Sequence, residues 1–445
     1  MPLAAKPGLV LELARGYTAA DVLSGLPPSL GGNGTAGLTS VLADRSLGYT
    51  GGRLLLLEFA PGTDLELAAD EYKKADGVVM AAPNRIFSTM AVPTPNDPEY
   101  YRQWNLPKIS APQAWGITTG ASSVTVGIVD TGLNWNHPDL APNTWGNRGE
   151  DLDSDGVVVW NGSVYVLDPD DLNGVDDDGN GYVDDLTGWD FYDDDNDTRQ
   201  VNGDHGTAVA GAAGAATNNN IGIASVNWNS RLVGLRTGDG GGISFFSVGL
   251  ALDYAALMGI DVANMSFGTF GTYCPPALGS AYSAGVVLVA ASGHPAGTNG
   301  EPSAYSPASC PGVLAVTALE QNDVRYGGAN VGAYVDLAAP FETWTTRYRV
   351  ELPNPHTYAR GSETSIASPQ VAGAASLVLS VNPNLTPADV EAILEATADN
   401  VYGVNPTLVG KLGAGRINVY RAVKYTLEHY GGAVGGAGLT VELPE

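Results

Sequence analysis

The chain has 445 residues, 44% hydrophobic and 16% charged, enough apolar mass for a large core and too much for a disordered protein. Its 48 acidic residues against 21 basic ones leave a net charge of -27, which argues against a nucleic-acid partner, because phosphates must be neutralised by Lys and Arg. No apolar run approaches the ~20 residues of a membrane span, and two cysteines, Cys274 and Cys310, are too few for a disulfide scaffold or a structural zinc site. They read either as the single disulfide of an exported protein or as two buried thiols. The first residues, MPLAAKPGLVLELARGYTAAD, lack the uninterrupted apolar stretch of a signal peptide, so either such a signal has been removed or the protein is not exported by that route.

Residues 1–92 read as a small α+β unit, with strands at 52–62 and 78–87 around an amphipathic helix at 64–77. The stretch 88–101, STMAVPTPNDPEYY, is Pro-rich and polar, as linkers are. Apolar strands then alternate with helices: strand 123–132, helix 205–216, strand 231–238, helix 245–259, strand 260–268, helix 274–285, and strands 286–293 and 312–319. This rhythm predicts an α/β domain over 93–430, a mainly parallel sheet with helices on both faces and its site beyond the carboxyl ends of the strands. The Gly-rich tail, 431–445, is expected to be peripheral.

The acidity is local. Seventeen acidic residues lie between Glu150 and Asp197, with no Lys or Arg among them, which marks 150–197 as an insertion needing its own explanation. Within it, DDDGNGYVDD sets Asp176, Asp178 and Asn180 at alternate positions of a calcium loop. Gly181 takes the turn, Tyr182 offers a carbonyl and Asp184 falls at the ninth position. Position twelve holds Thr187 rather than Glu, so Asp185 or a more distant residue must complete the shell. A merely solvated loop is disfavoured, because carboxylates this dense repel one another without a cation. DLDSDG, 151–156, repeats only the first half of the pattern and stays open as a second site.

Three residues in this framework suit acyl transfer to a serine. Asp130 ends an apolar strand, His205 opens a small-residue helix, and Ser365 opens the later helix in GSETSIASPQVAGAASLVL. A serine hydroxyl is weak until an imidazole takes its proton, and a carboxylate fixes that imidazole's tautomer. Singly, each has an ordinary structural reading as a turn, cap or helix-start residue.

The flanking sequences VGIVDTG, HGTAVAG and TSIASPQVAG resemble, in order, the three active-site motifs of the subtilisin-like serine proteases (subtilases). TPNDPEYYRQWNLPKISAPQAW is similar to the mature start of thermitase-like bacterial members, ATNNNIGIAS to a calcium loop and GAGRINVYRAV to the final helix, so the likeness spans about Thr94 to Val423. It implies a monomeric, secreted endopeptidase acting on protein and peptide substrates. Asp130 would orient, His205 would act as general base and acid, and Ser365 would attack. It implies further that residues 1–92 are a propeptide, folding aid and inhibitor, with Ser88–Thr94 as the linker that the enzyme cuts. Substrate would pair with Ser266, Phe267 and Gly268. A second Ca²⁺ would sit on Asp97, Asp139, the Asn219 side chain and the carbonyls of Ile221 and Ile223. Cys274 and Cys310, on neighbouring connections, are expected to form a disulfide, as similar pairs do in some bacterial subtilases.

The pattern is broken in three places. The family's Asn, whose amide donates to the oxyanion, is here His294; the Gly before the Thr-Ser pair is Glu363; the Gly after AAP is Phe341. These departures sustain two alternatives, an impaired subtilase that binds peptide without cleaving it and a calcium-dependent adhesive protein, while the triad favours an enzyme.

Overall fold

A computed structural model describes residues 8–24, 38–48, 50–60, 63, 65–84, 92–200, 202–294, 301–302 and 304–430. The tail 431–445 and most of the expected scissile linker, Ser88 to Ala91, lie outside them. Contacts divide the chain into two compact units, Met1–Met90 and Ala91–Glu445.

The smaller unit is a four-stranded antiparallel sheet, in spatial order β2-β3-β1-β4, with two helices. Its strands are β1 (Leu9–Leu13), β2 (Leu38–Ser46), β3 (Arg53–Phe59) and β4 (Val78–Pro83); its helices are α1 (Ala19–Ser24) and α2 (Leu65–Tyr72). Alternation puts Leu9, Leu11 and Leu13 of LVLEL on the inner face, where they pack with Leu55, Leu57 and Tyr72. β1 and β2 escaped the sequence reading: β1 has only five residues, and β2, LTSVLADRS, buries none of its nine side chains fully and so carries no clear apolar pattern.

The larger unit is built on seven parallel strands in the order β13-β12-β11-β10-β5-β9-β8. They are β5 (Thr125–Asp130), β8 (Gly188–Asp190), β9 (Arg231–Arg236), β10 (Val262–Met265), β11 (Val287–Ala291), β12 (Val313–Leu319) and β13 (Leu337–Pro340). Within the acidic insertion, β6 (Val158–Trp160) and β7 (Tyr165–Leu167) form a hairpin. Both sheet faces are covered, so successive residues of one strand enter different cores. Val126 and Ile128 of β5 pack with helices α3 (His205–Gly214), α6 (Thr364–Val381), α7 (Pro387–Ala396) and α8 (Val419–Tyr430), whereas Val129 packs with α4 (Phe245–Leu257) and α5 (Pro276–Ser283). The expected α/β class and its mainly parallel sheet are present. α6 is long and apolar enough to cross a membrane by composition, but it is 89% buried as the core helix of this unit.

Strand order reverses about β5: the chain moves out to β9 and β8 on one side and to β10 and beyond on the other. Such a switch point opens a crevice at the carboxyl edge. Cys274 and Cys310 are joined (Cα–Cα 5.7 Å), linking the start of α5 to the segment before β12.

Candidate active site

Asp130 is the last residue of β5 and is 1% exposed. Its Oδ1 accepts from the Thr131 N–H at 2.7 Å and from His205 Nδ1 at 2.7 Å, so His205 carries its proton on Nδ1 and leaves Nε2 free to accept one. The ring sits at the start of α3 with 45% of its side chain exposed. The Asp130 charge is the largest influence on it and raises its pKa above the ordinary imidazole value; burial and Arg347 act the other way. Gly206 lets this helix start lie against β5, since a Cβ there would fall 2.2 Å from the Gly132 carbonyl oxygen.

A hairpin that the sequence reading missed, β14 (Glu342–Tyr348) with β15 (His356–Ser362), braces the other side of α3. Thr345 and Thr346 hydroxyls donate to the carbonyls of Ala208 and Thr207, both at 2.7 Å. Arg347 reaches Asp204, the residue before His205, at 2.9 Å. Gly211 permits that approach, because a side chain would collide with Thr346 Oγ1.

Ser365 lies in the first turn of α6, where N–H groups have no intrahelical acceptor and the helix dipole favours negative charge. Pro369 stands four residues on and has no N–H, so the Ser365 carbonyl is freed from the helix ladder and accepts from Ser266 Oγ at 2.9 Å. In return, the Ser365 hydroxyl donates to the Ser266 carbonyl at 3.0 Å. Val129 pairs with Met265, and Asp130 and Ser266 are the residues that follow them at the carboxyl ends of these adjacent strands. These neighbouring strand ends hold His205 through Asp130 and Ser365 through Ser266. The Ser365 hydroxyl is turned to Ser266 rather than to His205; rotation about its Cα–Cβ bond is the motion that would redirect it.

A buried relay fixes this register. Ser368 Oγ donates to Asn264 Oδ1 at 2.6 Å, and Asn264 Nδ2 donates to Ser266 Oγ at 2.9 Å. Asn264 was not singled out from sequence, although an Asn inside the apolar run VANM is a signal, since a buried amide must find partners.

Ser365 opens onto a cleft of about 320 Å³ lined in part by Ser266, Phe267, Gly268, Gly293 and His294. His294 Nδ1 faces the Gly328 carbonyl at 3.1 Å and Nε2 faces Glu363 Oε2 at 2.9 Å, so neither ring nitrogen is left over to donate elsewhere. The two departures from the family pattern thus contact each other. Glu363 holds a left-handed φ of 82°, a conformation suited to Gly, so the backbone there keeps the shape the family's residue would give it. Phe341 stacks on Tyr326 (4.6 Å) and is not among the residues lining the cleft.

Asp97, Asp139 and Asn219 lie together. Asp139 Oδ1 accepts from Asn219 Nδ2 at 2.9 Å, and Asp97 accepts from the N–H groups of Asn218 and Asn219. Ile221 and Ile223 lie on the same loop; the Ile223 N–H donates to Asp139 at 2.8 Å. Asp139 is fully buried, and that burial pushes its carboxyl up to about 7.

In the acidic insertion, Asp176 and Asp178 gather with Glu150, a buried residue absent from the sequence reading. Glu150 Oε2 has no hydrogen-bond partner among the described residues, and burial pushes the group up to about 7. An orphaned buried carboxylate is what a cation would satisfy, so this donor set fits one. Glu150 would supply the glutamate that the loop itself lacks. Asn180 donates to Asp178 and Asp185, and Tyr182 follows in the same loop. Asp184 is turned elsewhere, accepting from the N–H groups of Asn173 and Gly174.

An acid, an imidazole and a hydroxyl at the switch point of a parallel sheet form the layout of an α/β serine peptidase. Residues 121–415 match the subtilase family (Peptidase S8), and the chain belongs to that family. It is 35% identical to thermitase of Thermoactinomyces vulgaris over 75% of this chain and 100% of that protein. It is 34% identical to a thermophilic serine proteinase of Bacillus sp. strain AK1, over 78% of this chain and 73% of that one. A solved protease structure from Pseudoalteromonas arctica superposes with a TM-score of 0.57 at 28% identity, covering 75% of this chain and all of that one.

Proposed function

We propose that this chain is an active, secreted serine endopeptidase, made as a self-processing zymogen and stabilised by calcium. The observation that carries the reading is the pair of contacts at neighbouring strand ends: Asp130 fixes His205, while Ser266, following the strand paired with β5, fixes Ser365. His205 Nε2 takes the Ser365 proton as Oγ attacks the scissile carbonyl, and Asp130 stabilises the imidazolium. Nε2–H then protonates the leaving amine, and water repeats the sequence on the acyl-enzyme. The Ser365 N–H, at the positive end of α6, meets the oxyanion. An extended peptide pairs with Ser266–Gly268, and the apolar cleft lining favours an apolar residue before the scissile bond.

Calcium, when bound, neutralises buried carboxylates and takes no part in the chemistry. Asp97, Asp139, Asn219 and the Ile221 and Ile223 carbonyls would hold one ion; Glu150, Asp176, Asp178, Asn180 and Tyr182 would hold another. Residues 1–92 act as propeptide. Secretion is supported by relatives named extracellular proteases, from Natrialba magadii and Xanthomonas campestris. Relatives named as proteases favour this reading over a non-cleaving or adhesive protein.

Self-processing tests the proposal, because the bond is presented within the same molecule at high effective concentration. Full-length protein incubated with calcium should lose a fragment ending near residues 88–94 by mass, while Ser365→Ala stays intact. Equal, uncut masses would overturn it.

A further inference from the structure

Next to Glu150 in sequence begins a second group of carboxylates, separate from the one on the 176–185 loop. Asp151, Asp153 and Asp171 bring oxygens within 4.8 Å of one another. Asp171 is fully buried: one oxygen accepts from the Leu152 N–H at 3.1 Å, and Oδ2 has no partner among the described residues. Asp151 Oδ1 is likewise buried and unpartnered. Asp168, 7% exposed, and Asp155 face the same group, since the charge of Asp168 acts on both Asp155 and Asp171.

Elsewhere in the insertion the chain shows how it compensates a buried carboxylate. Asp190, fully buried, pairs with the buried Arg236, which also holds Asp193 at 2.7 Å. Nothing comparable reaches the first group: among the described residues no Lys, Arg or His pairs with Asp151, Asp153, Asp155, Asp168 or Asp171. An ionised carboxylate in that setting is strongly disfavoured, because burial removes its hydration and no counter-charge replaces it. Burial and the charges of Asp151, Asp168 and Asp153 accordingly push Asp171 above the usual carboxylate range.

We propose that Asp151, Asp153 and Asp171, completed by Asp155 and Asp168, form a separate binding site for a hard divalent cation of calcium type. Oxygen-only donors select Ca²⁺ over metals that favour nitrogen or sulfur. DLDSDG supplies the first half of a calcium loop, Gly156 making the turn at a φ of 116°. The β6–β7 hairpin replaces the second half, returning the chain so that Asp168 and Asp171 close the shell. Glu150 and Asp151, adjacent in sequence, then serve two different ions.

The test is calorimetric titration of Ca²⁺ into chelator-stripped, full-length Ser365→Ala protein, which cannot digest itself. Asp153→Asn, at an exposed position, and Asp171→Asn should each remove one bound equivalent. Asp178→Asn should remove a different one, and Asp153→Asn with Asp178→Asn should remove two. If Asp153→Asn and Asp171→Asn bind as many ions as the parent with unchanged affinity, this site does not exist. Loss confined to Asp178→Asn would defeat this proposal and leave the 176–185 loop standing. Should Asp171→Asn fail to fold, Asp153→Asn alone decides.

Discussion

At the scale of single residues, His205 sets the pH dependence. It works as a base only when neutral, and Asp130 raises its pKa above the ordinary value of about 6.5. Hence kcat/KM should fall with decreasing pH through a midpoint above about 6.5. Arg347→Ala removes a cation that opposes protonation and should shift the midpoint further upward. A midpoint below 6.5 in both proteins contradicts this electrostatic picture. His294 and Glu363 should behave as one unit. His294→Asn frees an amide for the oxyanion and should raise kcat, toward the roughly 10²–10³-fold that one such donor is worth. Glu363→Gly relieves the left-handed backbone, with a gain of about 1 kcal/mol in stability. Additive effects of the two changes on kcat/KM would show that the 2.9 Å contact does not couple them.

Among the elements, the β14–β15 hairpin and the disulfide offer distinct tests. Thr345→Val removes the side-chain donor that the Ala208 carbonyl has besides its helix bond, and should cost about 1 kcal/mol in denaturant unfolding. Since that carbonyl belongs to the first turn of α3, kcat should fall as well. Replacing both Cys274 and Cys310 by Ser opens a loop with a sequence separation of 36, for which chain entropy gives about 4 kcal/mol. A loss below about 1 kcal/mol would place the constraint elsewhere. The strands of the main sheet were legible because burial on both faces writes continuous apolar runs, as in VTVGIVD and VVLVAASG. The hairpin was not, since ETWTTRY and HTYARGS are largely polar, and the buried Thr345 and Thr346 find their partners only on α3. Asp130, His205 and Ser365 stood out through their flanking motifs. Glu150, Asp168 and Asp171 did not: each acquires its role through a fold that returns distant segments to one place.

For the whole molecule, calcium and pH act on the same groups. Asp139 and Glu150 titrate near 7 in the folded chain without metal, against about 4 when unfolded. Between those values the native state binds more protons, so metal-free stability should fall as pH rises from about 4 through 7. Calcium should remove that slope and raise Tm, as a ligand specific to the native state does. Melting of Ser365→Ala protein from pH 4 to 8, with chelator and with calcium, checks both; identical curves would end the calcium account. The central claim, that Ser365 is an activated nucleophile, is met most directly by a fluorophosphonate probe followed by intact-mass and peptide mapping. One adduct per chain on Ser365, abolished by Ser365→Ala and strongly slowed by His205→Ala, is the expected result. No adduct on calcium-loaded, processed protein, or one whose rate ignores His205→Ala, would contradict it.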